Sequence, residues 1–452
     1  MTEPASFTFY AATFGCKVNQ YETQAIREWW QSLGGVETED PKEAQVILVA
    51  SCAVTAEAVS DARQLTRRLA RLCPQARIFA AGCASSAEPQ DFLSLEGVTA
   101  VIPQAQKFVL LEKHPLTAVD FSAPDTPQGY PPFAIRTFKR SRPVVKIQDG
   151  CSQGCSYCIV PLTRGPSRSR PVAGILAEVR RLLEAGYREI MLSGVNLRQF
   201  HADGRNFWSL LRLLDRELAE EWQGRARFRI SSLDPSQVTG QEGLETLESC
   251  RMVCPQLHLS LQSGSPAVLK RMHRSPYAPE DIVTAVQAVQ RFWPVLGLGA
   301  DILMGFPGET EAETAETLDL VRALPMTYAH VFPYSRRPGT AAASLPGQLP
   351  RQVRQEHAAR VRALAAEKQA HFLQAQLRLP HMAVAFDGGG ARHGNNEWYV
   401  DCRLETGAAD FGHELVDCAP VRVEDRTLVV RPVQANGEAG AFPYATEHRL
   451  GE

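Results

Sequence analysis

The sequence lacks the features that would place the chain in or across a membrane. No uninterrupted apolar run approaches the roughly 18 residues that a membrane-spanning helix needs. The first residues, MTEPASFTFYAATFGC, contain neither the basic segment nor the apolar core of a secretory signal. From these absences we expect a cytoplasmic protein that makes no membrane contact.

A strong net charge is also missing, since the formal charge at pH 7 is −2. No field of the whole molecule would therefore attract nucleic acid. The distribution is uneven, however: residues 136–170 carry eight Lys/Arg and one acid, and residues 351–378 carry six and two. Residues 379–452 reverse the balance, with six Arg and twelve acids. Any RNA contact would have to come from local basic patches.

Cysteine, in contrast, is abundant, with eleven residues. An odd number in a reducing compartment argues against a disulfide framework. Cys151, Cys155 and Cys158 form a CxxxCxxC motif directly after a predicted strand. Three thiolates so close together can hold three irons of a [4Fe–4S] cluster and leave the fourth iron open for chemistry. Gly150 and Gly154 would let the loop wrap closely around the cluster. The alternative to a cluster is a zinc site that a distant ligand completes.

The region 5–118 is predicted to be a small α/β domain with a second set of cysteines. Its three clearest strands, FTFYAATFG, AQVILVASC and ARIFAAGC, each run into a cysteine: Cys16, Cys52 and Cys83. Because the carboxyl ends of strands in an open α/β sheet form the ligand crevice, these cysteines could meet and hold a second cluster. Buried structural cysteines at strand ends are the alternative.

The rest of the chain is predicted to be α/β with a final β domain. Residues 119–142 are expected to be a linker rich in proline. Residues 143–350 alternate six strands with helical segments, which predicts a parallel sheet curled into a full or partial (βα)6 barrel. Residues 351–378 are predicted to form one basic helix. Short β runs in residues 379–440 predict a small β-barrel.

The longer segment QDGCSQGCSYCIVPLTRGPSRSRP resembles the radical S-adenosylmethionine (SAM) methylthiotransferases. So do TFGCKVNQYET, ASCAVT, AGC, LSGVNL, HLSLQSGS, ADILMGFPGET and FPYSRRPGT, which occur in the family order between residues 13 and 340. The resemblance implies an N-terminal methylthiotransferase domain, a radical SAM barrel and a C-terminal TRAM-like barrel that binds RNA. The acidity of the last region departs from this pattern, so the basic segments 136–170 and 351–378 are alternative RNA contacts.

The resemblance also implies the cofactors, two [4Fe–4S] clusters and SAM. SAM would bind the open iron of the Cys151/Cys155/Cys158 cluster and be cleaved to a 5′-deoxyadenosyl radical, with electrons from a donor such as flavodoxin or ferredoxin. The second cluster, carried over to Cys16, Cys52 and Cys83, would hold the sulfur that is methylated and inserted. Candidate SAM contacts, for which ordinary strand-end hydrogen bonding is the alternative, are Tyr157, Ser193, Gly194, Asn196, Ser231 and Gln262.

The segment from Lys17 to Tyr21, KVNQY, resembles the branch that acts on threonylcarbamoyladenosine. It implies insertion of a methylthio group at C2 of N6-threonylcarbamoyladenosine, position 37, in the tRNA anticodon stem-loop. The alternatives are isopentenyladenosine in tRNA or an aspartate of a ribosomal protein as substrate. Outside this class, the chain could be a non-catalytic iron–sulfur scaffold or electron carrier. A monomer is favoured.

A basic loop after the cysteine motif, together with two arginines at the last predicted barrel strand, provides candidate phosphate contacts near the site. A solvated charged surface is the alternative. The candidates are Thr163, Arg164, Arg168, Arg170, Arg336 and Arg337.

Overall fold

The computed structural model describes residues 6–117, 129–274, 277–407 and 410–433. The chain divides into two compact units. The first unit comprises Met1–Thr137, Gln148–Arg170 and Ser335–Ser344. The second unit comprises Phe138–Ile147, Pro171–Tyr334 and Leu345–Glu452. These units divide the chain differently from the predicted domains, whose boundaries stay a prediction.

The first unit is built on a five-stranded parallel sheet of order β2-β1-β3-β4-β5. The central strand β3 is buried along its whole length, as its continuous apolar run VILVAS predicts for a strand covered on both faces. The strands are β1 (Phe7–Thr13), β2 (Gly35–Glu37), β3 (Val46–Ser51), β4 (Arg77–Gly82) and β5 (Val98–Pro103). The helices among them are α1 (Lys17–Ser32), α2 (Ala56–Leu72), α3 (Cys83–Ala87) and α4 (Pro89–Leu93), with 3₁₀ helices at Pro41–Glu43 and Gln104–Leu111.

The CxxxCxxC loop also belongs to the first unit. It follows β6 (Val144–Asp149), whose last two residues lie in this unit, and leads into the short helix α5 (Val160–Arg164). The chain then returns as β7 (Arg168–Ser169), which pairs antiparallel with the end of β6. The loop is therefore closed at its base by strand pairing.

The second unit contains the predicted alternation of strands and helices. Its strands form two sheets, one containing β6, β8 and β9 and one of order β10-β11-β12, linked by parallel bridges at Phe228↔Val253 and Leu233↔Leu259. The strands are β8 (Glu189–Gly194), β9 (Arg227–Ile230), β10 (Gln256–Gln262), β11 (Gly297–Met304) and β12 (Tyr328–Pro333). The helices are α6 (Val172–Glu184), α7 (Phe207–Trp222), α8 (Pro235–Val238), α9 (Gln241–Ser249), α10 (Pro266–Arg271), α11 (Pro279–Phe292) and α12 (Glu311–Ala323). All six predicted strands are present, which confirms the α/β class.

The long helix and the terminal barrel predicted for the last region are both present. The helix is α13 (Arg351–Gln376). The barrel is closed, in the order β13-β14-β15-β17-β16. Its strands are β13 (Met382–Phe386), β14 (His393–Asn396), β15 (Asp401–Leu404), β16 (Leu415–Glu424) and β17 (Thr427–Pro432). A cluster of buried apolar side chains that includes Trp398, Cys402 and Cys418 forms its core.

In the described ranges, no helix is both long enough and apolar enough to span a lipid bilayer.

Candidate functional site

Three cysteines of the first unit, Cys16, Cys52 and Cys83, follow three adjacent strands of its sheet. Cys52 and Cys83 come directly after Ser51 and Gly82, which are register partners on β3 and β4. Cys16 follows β1 and immediately precedes α1. We call these three cysteines the strand triad; parallel strands bring its members to one edge of the sheet, as the sequence predicts.

The thiols of the strand triad influence one another electrostatically. The pKa of Cys52 is raised to about 11, chiefly by burial and by the neighbouring Cys16 and Cys83, while a hydrogen bond from the Val54 backbone acts in the opposite direction. Burial likewise raises the pKa of Cys83. Gly15 allows the close approach, because its φ is +88° and a Cβ there would lie 2.3 Å from the Cβ of Cys52. The geometry therefore brings together all three residues of the set.

A buried ionic network lies beside the strand triad. Arg164 donates from Nη1 to Glu22 Oε1 at 2.9 Å and to Asp149 Oδ1 at 2.8 Å. Lys107 Nζ reaches Glu22 Oε2 at 3.2 Å, and the Arg164 guanidinium lowers the pKa of Cys83 against the effect of burial. The hydroxyl of Thr163 lowers that pKa too, through a hydrogen bond. The network thus places a permanent positive charge next to thiols that bind iron only as thiolates.

The TFGCKVNQYET motif supplies much of this network. Asn19 accepts from Lys107 Nζ at 2.5 Å and donates to the Phe14 carbonyl at 2.7 Å. The Tyr21 hydroxyl donates to the Phe133 carbonyl at 2.8 Å and accepts from Arg170. These buried side chains hold the first unit together, so the motif has a structural role whichever substrate the protein modifies. Sequence reasoning missed Lys107, because nothing in its local pattern marks it.

We call the three cysteines of the CxxxCxxC motif, Cys151, Cys155 and Cys158, the loop triad. Cys151 is buried, whereas Cys155 and Cys158 are partly exposed. The Gln153 backbone N–H donates to Cys151 Sγ at 3.4 Å, and Cys158 N donates to the Cys155 carbonyl at 3.1 Å. Backbone donors directed at sulfur are one of the means by which proteins tune iron–sulfur clusters.

The two glycines of this loop differ. Gly150 has a φ of +68°, and a Cβ there would lie 2.0 Å from the carbonyl oxygen of Pro166. At Gly154, by contrast, a Cβ would meet nothing within 4 Å. Only at Gly150 does the chain's own backbone thus require a glycine. The backbone beside it is held in place, because Cys151 N donates to the Gly165 carbonyl at 3.0 Å.

All eleven cysteines are free thiols. Across the described ranges, neither triad brings its three sulfurs within 4.8 Å of one another. Three sulfurs on one zinc ion, each about 2.3 Å from it, would lie about 3.8 Å apart. In a [4Fe–4S] cluster each cysteine binds a different iron, which requires a wider triangle. Among the described residues, the sulfurs of neither triad are therefore close enough together to share one zinc ion in their present positions.

The candidate SAM contacts fall in two places. Tyr157 lies in the CxxxCxxC loop, directly before Cys158, and the others lie at strand ends of the second unit: Ser193, Gly194, Asn196, Ser231 and Gln262. Asn196 uses its side chain to cap a 3₁₀ helix, Leu197–Gln199. The Ser231 hydroxyl is buried and has no hydrogen-bond partner within the described part of the chain.

Gln262 ends β10 with a φ of +65°, where a non-glycine residue costs about 1–3 kcal/mol and is frequent at binding sites. The nearby GFPGE turn, in contrast, is explained by its own contacts. Glu309 accepts from Phe306 N at 2.8 Å and from the Thr314 hydroxyl at 2.9 Å.

The predicted phosphate contacts need correction. Arg164, Arg170 and Arg337 are buried and engaged with Glu22, Tyr21 and Glu88, respectively, so they are not available to phosphates. Thr163 is buried as well. Arg168 is partly exposed and Arg336 is exposed, so these two stay candidates.

Comparisons with known proteins agree with this geometry. Residues 145–321 match the model of the radical SAM superfamily, and residues 8–103 match that of uncharacterized protein family UPF0004. The chain is 37% identical to threonylcarbamoyladenosine tRNA methylthiotransferase MtaB of Chlamydia pneumoniae, over 76% of this chain and 79% of that protein. It is 34% identical to MtaB of Bacillus subtilis, over 78% and 79% of the two chains.

A relative with another name matches over a longer stretch. The tRNA-2-methylthio-N(6)-dimethylallyladenosine synthase of Syntrophotalea carbinolica is 32% identical over 87% of this chain and 91% of that protein. Among solved structures, the radical S-adenosylmethionine methyltransferase TsrM of Kitasatospora setae has a TM-score of 0.55 at 15% identity, covering 75% of this chain and 77% of that chain. At such identity the likeness shows the fold alone.

Proposed function

The chain belongs to the radical SAM tRNA methylthiotransferase family, and we propose that it inserts a methylthio group at C2 of N6-threonylcarbamoyladenosine beside the tRNA anticodon. The observation that carries this choice of substrate is the identity, 37% and 34%, to two relatives named for that nucleoside. The family's cofactors are SAM and a [4Fe–4S] cluster. An electron donor such as flavodoxin or ferredoxin stays a prediction.

The family resemblance implies different roles for the two triads. When bound, a cluster on the loop triad would supply the electron that splits SAM, and a second cluster on the strand triad would supply the sulfur. Cys151, Cys155 and Cys158 would hold the first, with Cys151 also accepting the Gln153 N–H. Cys16, Cys52 and Cys83 would hold the second, and the Arg164 guanidinium would offset the negative charge of their thiolates.

Among the candidate SAM contacts, Ser231 has the strongest support. A buried hydroxyl without a partner costs about 1–3 kcal/mol unless a ligand satisfies it. We expect Ser231→Ala to weaken SAM binding while leaving the iron content unchanged. Equilibrium binding of SAM to the cluster-loaded protein measures this effect.

Nucleoside analysis tests the proposed substrate. We expect tRNA from cells that lack this protein to lose 2-methylthio-N6-threonylcarbamoyladenosine and to accumulate the unmodified threonylcarbamoyl nucleoside, as measured by mass spectrometry. Reintroducing the wild-type chain should restore the product, and a Cys155→Ala chain should not. Unchanged tRNA nucleosides would contradict the proposal and favour a protein substrate.

A second candidate has support of its own. The relative of which this chain covers 91% is named for dimethylallyladenosine, the isopentenyl substrate. Moreover, Asn19 and Tyr21 of the segment that resembles the threonylcarbamoyl branch have structural contacts, so their presence does not by itself distinguish the two substrates. Selective loss of the 2-methylthio form of dimethylallyladenosine in the same experiment would establish this alternative instead.

A further inference from the structure

Three adjacent strands of the second unit each carry a metal-ligand type of side chain. His258 lies on β10, Asp301 on β11 and His330 on β12. Asp301 and His330 are register partners, and His258 pairs with Gly299, two residues before Asp301. Because residues two apart on a strand face the same way, the three side chains share one face of the sheet. We call them the His-Asp-His cluster.

The ligand atoms of this cluster converge. Asp301 Oδ1 lies 3.1 Å from His258 Nε2 and 3.3 Å from His330 Nδ1, and the three atoms all lie within 4.8 Å of one another. Atoms bound at about 2.0–2.1 Å to one tetrahedral ion lie about 3.3 Å apart. We propose that the His-Asp-His cluster binds a divalent first-row transition-metal ion such as Zn²⁺, separately from the cysteine triads.

The donor set suits such an ion. Two imidazoles and one carboxylate are ligands that zinc, iron and nickel accept, and three protein ligands leave coordination positions open. Asp301 supplies the one anionic oxygen of the set, since a carboxyl group is ordinarily ionised at neutral pH.

The cluster also has the outer support typical of metal sites. The Tyr328 hydroxyl lies 2.9 Å from His258 Nδ1, and Gln256 Nε2 donates to that hydroxyl at 3.0 Å. Such a bond fixes the imidazole so that its other nitrogen faces the metal. Gly299 makes room for the Tyr328 ring, since a Cβ there would lie 2.0 Å from its Cζ.

Solvent reaches the open side of the cluster. The His330 side chain is 53% exposed and that of Asp301 is 24% exposed. An ion could therefore enter without rearrangement of the strands. The exposure also makes His330 the ligand whose replacement disturbs the fold least.

Zinc titration of the cluster-loaded protein tests the proposal. After unbound iron is removed, isothermal titration with Zn²⁺ should show one ion per chain, and His330→Gln should weaken binding at least tenfold. The matched control is His371→Gln, which replaces an exposed histidine of α13 and should bind zinc like the wild type. Tyr328→Phe retains all three ligands and should weaken binding about 10- to 100-fold through the loss of outer support.

X-ray absorption at the zinc edge separates this site from the cysteines. Zinc in the His-Asp-His cluster should show only nitrogen and oxygen neighbours at about 2.0–2.1 Å, whereas zinc on cysteine shows sulfur at about 2.3 Å. Sulfur neighbours, equal zinc affinity in His330→Gln and wild type, or no zinc binding at all would each overturn the proposal. The last result would leave a hydrogen-bonded cluster of two histidines around Asp301.

Discussion

Each of the two cysteine triads of the first unit offers three thiol ligands, but the chain brings these ligands together in different ways. The loop triad lies within one eight-residue segment, and two of its members are partly exposed. The strand triad comes from the ends of three strands tens of residues apart, and Cys52 and Cys83 are buried whereas Cys16 is exposed. Both triads therefore combine buried and accessible cysteines, and the difference between them lies in their origin, since one is a local motif and the other is assembled from a sheet.

The charged groups near the two triads also differ. Arg164, itself buried, lowers the pKa of Cys52 and Cys83, which burial raises. Asp149 connects the two regions, since it accepts from Arg164 and, directly before the loop triad, from Gly150 N at 2.8 Å. The strand triad is thus flanked by an ion network, whereas the loop triad is shaped by backbone contacts.

The largest expected effect comes from removing one cysteine of either triad, and the two variants should lose different functions. Cys155→Ala should abolish SAM cleavage, because it removes one of three ligands of the cluster that reacts with SAM. Cys52→Ala should leave cleavage partly intact but block thiolation. Either variant should contain about four irons per chain instead of about eight, since each cubane holds four. Assays of 5′-deoxyadenosine, thiolated product and iron measure the three quantities.

Cys73 offers a matched control. It is a buried cysteine of the same unit whose Sγ contacts the Pro41 carbonyl at 3.1 Å, and it belongs to neither triad. Cys73→Ala should retain both clusters and both activities. Full product formation by Cys52→Ala would show that the strand triad does not carry the sulfur.

The difference between the triads also explains how much of the fold and of the site could be predicted from the sequence. The loop motif is visible in its spacing, and the strands β1, β3 and β4 are visible as apolar runs that end in cysteine. Strands β2 and β5 were missed, because the first has three residues and the second is mostly half-buried.

Contacts between distant polar residues were not predictable in this way. Glu22 and Lys107 form a buried ion pair although 85 positions separate them, and neither has a pattern that names its partner. Arg164 was predicted as a phosphate contact because its charge was visible and its burial was not. The His-Asp-His cluster escaped notice for a similar reason, since strand register alone aligns its members.

A smaller effect should follow from loss of the buried charge beside the strand triad. Arg164→Met should destabilise the protein by about 3–5 kcal/mol, the usual cost of removing one partner from a buried ion pair. Glu22 and Asp149 would each lose a hydrogen bond. We expect the iron of the strand triad to be lost in preference to that of the loop triad, so thiolation should fall more than SAM cleavage.

Urea unfolding and iron analysis check this expectation. Arg67→Met, which replaces an exposed arginine of α2, is the control and should match the wild type in both measurements. Equal loss of both activities in Arg164→Met would mean that the network supports the two triads alike.

The smallest effect should come from the backbone of the loop triad. Gly150→Ala forces a side chain into a left-handed conformation, at about 1–2 kcal/mol, and against the Pro166 carbonyl oxygen. Because the backbone must shift to relieve this contact, SAM cleavage should fall while the strand triad keeps its iron. Gly154→Ala, in open space, should change little. If the two variants were equally impaired, the backbone would not be the cause, and close approach of the cluster to Gly154 would explain the need for glycine.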